Sequence, residues 1–257
     1  DSRIWVTGLL SGLLWAVGQA AQFVGFKKLG VSVGNPISTA GQVIGNALLA
    51  AAVLGEWTNA KMWIFGILAI LAVTIGAIMT ALPDKNAQAD TNPERNFPSG
   101  LVAMLISTVG YMGYFIVPNL LSKFKYIPAT MKEQNNGVDY MTAIIAPQSL
   151  GQIIGAFVVV IFFMKEANIM FQKATWKNIV TGLVWALGNV FMFISAANPS
   201  IGQATASTLS QTGSVVAVLG GVYILGEKKT RRQMTFALIG VVFVVVGAIM
   251  ISNLAKL

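Results

Sequence analysis

Residues 12–23, GLLWAVGQAAQF, return at 182–193 as GLVWALGNVFMF, with Gly12/Gly182, Leu13/Leu183, Trp15/Trp185, Ala16/Ala186, Gly18/Gly188 and Phe23/Phe193 kept at a constant offset of 170. LGE at 54–56 recurs at 225–227, and GAIM at 76–79 recurs at 247–250, both at an offset of 171. Collinear blocks that differ by one inserted residue mark an internal duplication. Whatever such a chain does should happen where its two copies face each other.

The medium of the fold follows from composition. The 257 residues are 55% hydrophobic and 10% charged, with a mean hydropathy of +0.71, which is a membrane composition. Apolar runs long enough to cross a hydrocarbon core of ~30 Å as helices fall at 4–26, 31–54, 61–82, 98–121, 140–164, 176–197, 201–225 and 232–254. Every Asp and Glu lies at or outside a span boundary, as the cost of burying charge in lipid demands. The net charge of +8 comes from Lys and Arg scattered between the apolar runs, so it reads as membrane topology and not as nucleic-acid binding. The chain contains no Cys and no His, which removes thiolate chemistry and the commonest general base and metal ligand. An enzyme is not expected, and the residues call for no cofactor and no metal.

The repeat sets the architecture. Spans one to three correspond to spans six to eight, so the repeating unit is five helices. The expected organisation is a first repeat at 1–82, a polar linker at 83–97 and a complete second repeat at 98–257. Shifting residue 98 back by the offset of 171 lands upstream of residue 1, so the first repeat is expected to lack its opening two helices. The fold class is therefore all-α: a polytopic membrane protein of inverted five-helix repeats, with ten spans when complete and eight in this chain. Because five is odd, the copies enter the membrane from opposite sides, an arrangement associated with transporters. One face gathers Lys27, Lys28, Lys85, Arg95, Lys165, Lys173, Lys177, Lys228, Lys229, Arg231 and Arg232, the other only Arg3, Lys61, Lys123, Lys125, Lys132 and Lys256. The first is the cytoplasmic candidate.

Polar side chains inside the spans follow helical spacing. Trp15, Gln19 and Gln22 share one face of span one. Asn35, Thr39, Gln42 and Asn46 form a second stripe along span two. Amides have no reason to face lipid, so the stripes should face other helices or a wet cavity. The second copy answers with Trp185 and Asn189, and with a polar run at 202–214 that includes Gln211; spans four and five add Ser107, Thr108, Tyr111, Tyr114, Gln148, Ser149 and Gln152. Small Ser, Thr and Gly residues at helix interfaces usually serve packing. The candidate binding set is therefore Trp15, Gln19, Gln22, Gln42, Asn46, Tyr111, Gln148, Gln152, Trp185, Asn189 and Gln211, with interhelical hydrogen bonding as the plain alternative. Amides, hydroxyls and aromatic rings without charge suit an uncharged, hydroxyl-rich ligand, and a sugar fits best. A cation would call for an intramembrane carboxylate and a phosphate for Arg or Lys. Glu56 and Glu227, equivalent residues at span ends, and Asp139 at the head of span five are the candidates for coupling or gating; solvated turns or caps are the alternative for the two glutamates.

WALGN at 185–189 with its counterpart WAVGQ at 15–19, LISTVGY at 105–111, TLSQTG at 208–213 and LGGVYILGEKKTRRQ at 219–233 resemble bacterial glucose uptake proteins of the glucose/ribose porter family, within the drug/metabolite transporter superfamily. The resemblance runs through nearly the whole chain. It implies ten helices in two inverted repeats, a multi-pass protein of the bacterial plasma membrane, and uptake of glucose by proton symport. Sugar, lipid bilayer and protons are then the expected partners, with alternating access as the mechanism. Export of small apolar or amino-acid-like metabolites, found in other branches of the superfamily, would need fewer amides along the pathway. A non-transporting scaffold or receptor would need no continuous polar stripe.

Overall fold

The computed structural model describes residues 1–82, 93–197, 206 and 213–254, and every regular element among them is helical. In chain order these are α1 (Ser2–Leu29), α2 (Val31–Leu49, continued by a π-helical turn over Ala50–Leu54), α3 (Ala60–Thr80), α4 (Phe97–Lys123), α5 (Ala129–Lys132), α6 (Val138–Ala143), α7 (Ile145–Val158, continued by a π-helical turn over Val159–Phe163), α8 (Lys173–Lys177), α9 (Ile179–Ala197), α10 (Ser214–Tyr223) and α11 (Arg231–Ser252). Among the described residues, six helical stretches are long and apolar enough to cross a membrane: Ser2–Leu29, Val31–Leu54, Ala60–Thr80, Phe97–Lys123, Val138–Phe163 and Arg231–Ser252. They match expected spans one to five and eight. Span six is the shorter α9, and span seven falls partly on residues outside those described, as does 83–92 of the expected linker.

The helix starts are written locally. Asp1 accepts from the backbone of Arg3 at 2.9 Å, Asn59 from Met62 at 2.9 Å and Asn96 from Ser99 at 3.0 Å. Thr230 and Gln233 form a reciprocal capping box at the start of α11, so that two otherwise orphaned donors find partners. Both LGE segments make the same turn. Gly55 and Gly226 take left-handed φ values of 74° and 70°, and the next N–H reaches back to Ala50 O and to Gly221 O, each at 3.0 Å.

The exterior is apolar as well as the interior, and polar side chains are buried among the apolar ones. Large apolar side chains such as Ile64, Leu105, Val109 and Leu183 face outward, while Thr7, Ser11, Ser38, Ser107 and Gln148 are buried. Lipid is as apolar as Leu, so helices gain by close approach and interhelical polar contacts. α1 runs antiparallel to α4, with Gly18 at Gly110 and Gly25 at Met104, and parallel to α7, with Gly8 at Pro147 and Ala16 at Gly155. A methyl group added at Gly12 would lie 2.1 Å from Gln148 O, and one at Gly110 would lie 2.6 Å from Gly18 Cα.

α3 and α11, counterparts in the repeat, pack antiparallel. A methyl at Gly76 would meet Gly240 O at 2.4 Å, and one at Gly247 would meet Ala69 O at 2.7 Å. Gly76 and Gly247 are equivalent at the repeat offset of 171, as are Ala69 and Gly240. The two contacts are therefore one contact made twice.

The long 122–139 connection is not a plain loop. It carries α5 and a 3-10 turn over Gln134–Gly137, and is anchored by the buried Ile127.

Candidate binding site

The close α1–α4 crossing at Gly18 and Gly110 brings the stripe on α1 opposite Tyr111. The Tyr111 hydroxyl donates toward Gln19 Oε1 at 2.6 Å and Gln22 Oε1 at 2.9 Å, sharing one proton between two acceptors. Gln22 Nε2 passes the network to Ser38 Oγ at 2.8 Å, where Gln42 Nε2 also donates at 3.1 Å. Three helices are thus tied through one uncharged amide–hydroxyl chain. A second arm lies one turn along α4, where the Tyr114 hydroxyl donates to Asn189 Oδ1 of α9 at 2.9 Å.

Aromatic rings join the arms. Trp15 lies against Trp185 with ring centroids 4.8 Å apart and planes inclined by 45°. It also meets Tyr111 edge-on at 6.4 Å and 70°. Trp15, Gln19, Gln22 and Asn189 are half-buried, and Trp185 is more open. Gln19 and Asn189, equivalent in the repeat, each take a tyrosine hydroxyl from α4.

Gln148 is held differently. Pro118 has no N–H, so the Tyr114 carbonyl four residues earlier loses its helical donor. Ser11 Oγ donates to that carbonyl at 2.9 Å, and Gln148 Nε2 donates to Ser11 Oγ at 2.8 Å. The Tyr140 hydroxyl donates to Pro118 O at 2.9 Å. Gln148 therefore serves the backbone beneath Tyr114, while its Oε1 is buried without a hydrogen-bond partner among the described residues. Gln152 and Asn46 are half-buried at the margins, on α7 and α2. Gln211 lies outside the described residues.

The coupling candidates sit apart from this cluster. Asp139 is exposed and accepts from Asn135 Nδ2 at 3.2 Å. Glu56 is exposed and, with Leu54, Asn119, Ser122 and Lys123, lines a hollow of about 340 Å³. Glu227 engages the start of α2 and acts on Lys229: burial pushes that ammonium below its usual range, and the glutamate opposes the shift. Sequence reasoning left Tyr114, Ser38 and Ser11 out of the site. Tyr114 follows Tyr111 at i+3, Ser38 precedes Gln42 at i−4 and Ser11 precedes Trp15 at i−4, so helical spacing from chosen residues would have found all three.

The cluster offers hydrogen-bond donors, acceptors and ring faces without a formal charge, and no group of three or more His, Asp or Glu that could hold a metal occurs among the described residues. It can bind and orient a neutral polar molecule. Residues 1–254 match the family described as sugar transport protein. A putative sugar uptake protein of Lactiplantibacillus plantarum is 39% identical over 255 residues, covering 98% of this chain and 80% of that one. A probable glucose uptake protein of Priestia megaterium is 38% identical over 253 residues, with coverage of 98% and 80%. The glucose uptake protein of Bacillus subtilis is 35% identical over 250 residues, with coverage of 97% and 79%.

Proposed function

The chain belongs to the sugar transport protein family, and on that premise we propose that it takes up glucose or a closely related sugar through a site centred on Trp15 and Trp185. It is a multi-pass protein of the bacterial plasma membrane and not an enzyme. The observation that carries the substrate class is the uncharged cluster itself. Tyr111, Gln19, Gln22 and Asn189 present hydroxyl and amide groups beside two indole rings, and a sugar has hydroxyls for the former and an apolar C–H face for the latter. Gln42, Asn46, Gln152 and Gln211 complete the proposed pathway, and the buried Gln148 braces it through Ser11.

The proposed mechanism is alternating access between two copies of opposite orientation. Two features support it. The α3–α11 contacts at Gly76/Gly240 and Ala69/Gly247 are reciprocal, the pattern that a two-fold relation between antiparallel helices produces. Trp15 touches its own counterpart Trp185, and moving from Trp15 toward Ser11 on α1 corresponds to moving from Trp185 toward Asn189 on α9, so these helices also run opposite ways. Rocking of the copies about the tryptophan pair would open the site to each side in turn. Proton symport supplies the energy in this proposal, with Glu56, Asp139 and Glu227 as the candidate groups.

Uptake of radiolabelled hexoses and pentoses by cells expressing the protein tests the reading. Saturable uptake above vector is expected for at least one hexose; background uptake of every sugar rejects it. Collapsing the proton gradient during the assay should abolish accumulation, and unchanged accumulation rejects symport.

A further inference from the structure

At the face richer in Lys and Arg, α1 turns into α2 through Gly30, whose φ of 84° allows the sharp change of direction. Phe26 O takes the Gly30 N–H at 2.8 Å, but the last carbonyls of α1 keep acceptor capacity and the first N–H groups of α2 have no helical carbonyl before them, which leaves further partners to be found. Remote residues supply them. Arg95 Nη1 donates to Phe26 O at 3.2 Å and to Lys27 O at 3.4 Å. At the start of α2, the Glu227 carboxylate accepts from Val31 N, from Ser32 N at 3.0 Å and from the Ser32 hydroxyl. The signs match the helix dipoles, a cation at the carbonyl end of α1 and an anion at the N–H end of α2. Gly30 lies between them, since a methyl there would sit 3.1 Å from both Arg95 Nη atoms and from Glu227 Cδ. Gly221, near the end of α10, closes the contact: a methyl on it would come within 3.0 Å of Ser32 Cβ.

We propose that the docking of Glu227 on α2, braced by Arg95, is the gate of this membrane face, formed when the face is closed and broken each time the site opens to it. The inference rests on the transport reading for the identity of what passes, but the movement it describes is independent of the sugar. Three observations favour a gate over a fixed joint. The contact between α2 and α10 here is made by Ser32 and Gly221 under a half-exposed carboxylate, and charge-assisted hydrogen bonds at a wet rim can exchange for water at small net cost. All the clamping groups come from the linker and second copy, whereas both clamped ends belong to the first, so opening separates the copies. Finally, the repeat counterpart of Glu227 is Glu56, at the other end of the α2 helical stretch. It is exposed and beside a hollow of about 340 Å³. Equivalent carboxylates thus stand at the two faces, as a device that must serve each face in turn requires.

The chain has no Cys, so introduced thiols report alone. The Ser32→Cys/Gly221→Cys pair has Cβ positions 3.0 Å apart, so a small separation of α2 and α10 brings them to the ~3.8 Å that a disulfide prefers. Oxidation is expected to bring sugar uptake to background and reduction to restore it; undiminished uptake by the cross-linked protein, or intact thiols that fail to cross-link, overturns the gate. The second measurement needs no transport. Thr39 is buried and seven residues from Ser32 on the same side of α2. Labelling of Thr39→Cys from this face should be about tenfold faster with Glu227→Ala than with Glu227 present, the scale of losing one charge-assisted hydrogen bond. Equal rates overturn the gate even if sugar is carried, and a rate increase supports it even if wild-type uptake shows the substrate reading to be wrong.

Discussion

Trp15 rests on Trp185 at a centroid distance of 4.8 Å, so the two tryptophans that the duplication makes equivalent are also neighbours in space. A residue that touches its own counterpart lies where the copies meet, and any ligand held there is gripped by both. Aromatic pairs of this kind contribute ~0.5–1.5 kcal/mol beyond area burial. Trp15→Ala and Trp185→Ala are each expected to raise the KM for sugar uptake, by up to about tenfold. The double variant should fall well short of the product of the two effects, because either change empties the shared contact. Uptake kinetics at matched expression check this.

The tyrosines of α4 should separate by arm. Tyr111→Phe removes the one proton that Gln19 and Gln22 share, and Tyr114→Phe removes the donor on Asn189. Each lost hydrogen bond is worth ~0.5–1.5 kcal/mol, so a two- to tenfold rise in KM is expected. Tyr114→Phe and Asn189→Ala should be non-additive with each other and additive with Tyr111→Phe.

Much of this arrangement is legible in the residue order alone. Spacing puts Gln19 and Gln22 on one face of α1, and the LGE repeats announce two equivalent helix ends. What spacing cannot supply is the partner across the gap. Nothing local in the sequence shows that Ser11 serves the Tyr114 carbonyl, because the need arises from Pro118 on another helix and the supply depends on how closely α1 and α4 approach. Gln148 reads as a binding amide for the same reason, its hydrogen bond to Ser11 being created by packing. Glu227 reads as a turn residue or a coupling group; its reach to Val31 and Ser32 is a tertiary contact that no period encodes. The connection over 122–139 looks irregular because the burial of Ile127 that orders it is not a periodic signal.

Ser11→Ala should cost stability more than its size suggests. It leaves a buried carbonyl and the Gln148 amide unsatisfied, at ~1–3 kcal/mol. A lower thermal midpoint of the purified protein is expected, with Gln148→Ala similar and the pair non-additive. A midpoint unchanged in both single variants would remove the role assigned to this relay.

Gly76→Val tests the reciprocal helix contact. Its Cβ would meet Gly240 O at 2.4 Å, so α3 and α11 must move apart, and overpacking of this kind costs ~1–3 kcal/mol. Gly247→Val, which repeats the same clash against Ala69 at 2.7 Å, should give a matching drop in thermal midpoint. A large drop for one and none for the other would contradict the equivalence of the two contacts.

Equilibrium binding of radiolabelled glucose to the purified protein bears most directly on the proposed site at the tryptophan pair. Expected is saturable binding that unlabelled hexoses displace and that Trp15→Ala and Trp185→Ala both weaken. Absence of binding by any neutral sugar, or binding untouched by both substitutions, would contradict a sugar site at the tryptophan pair.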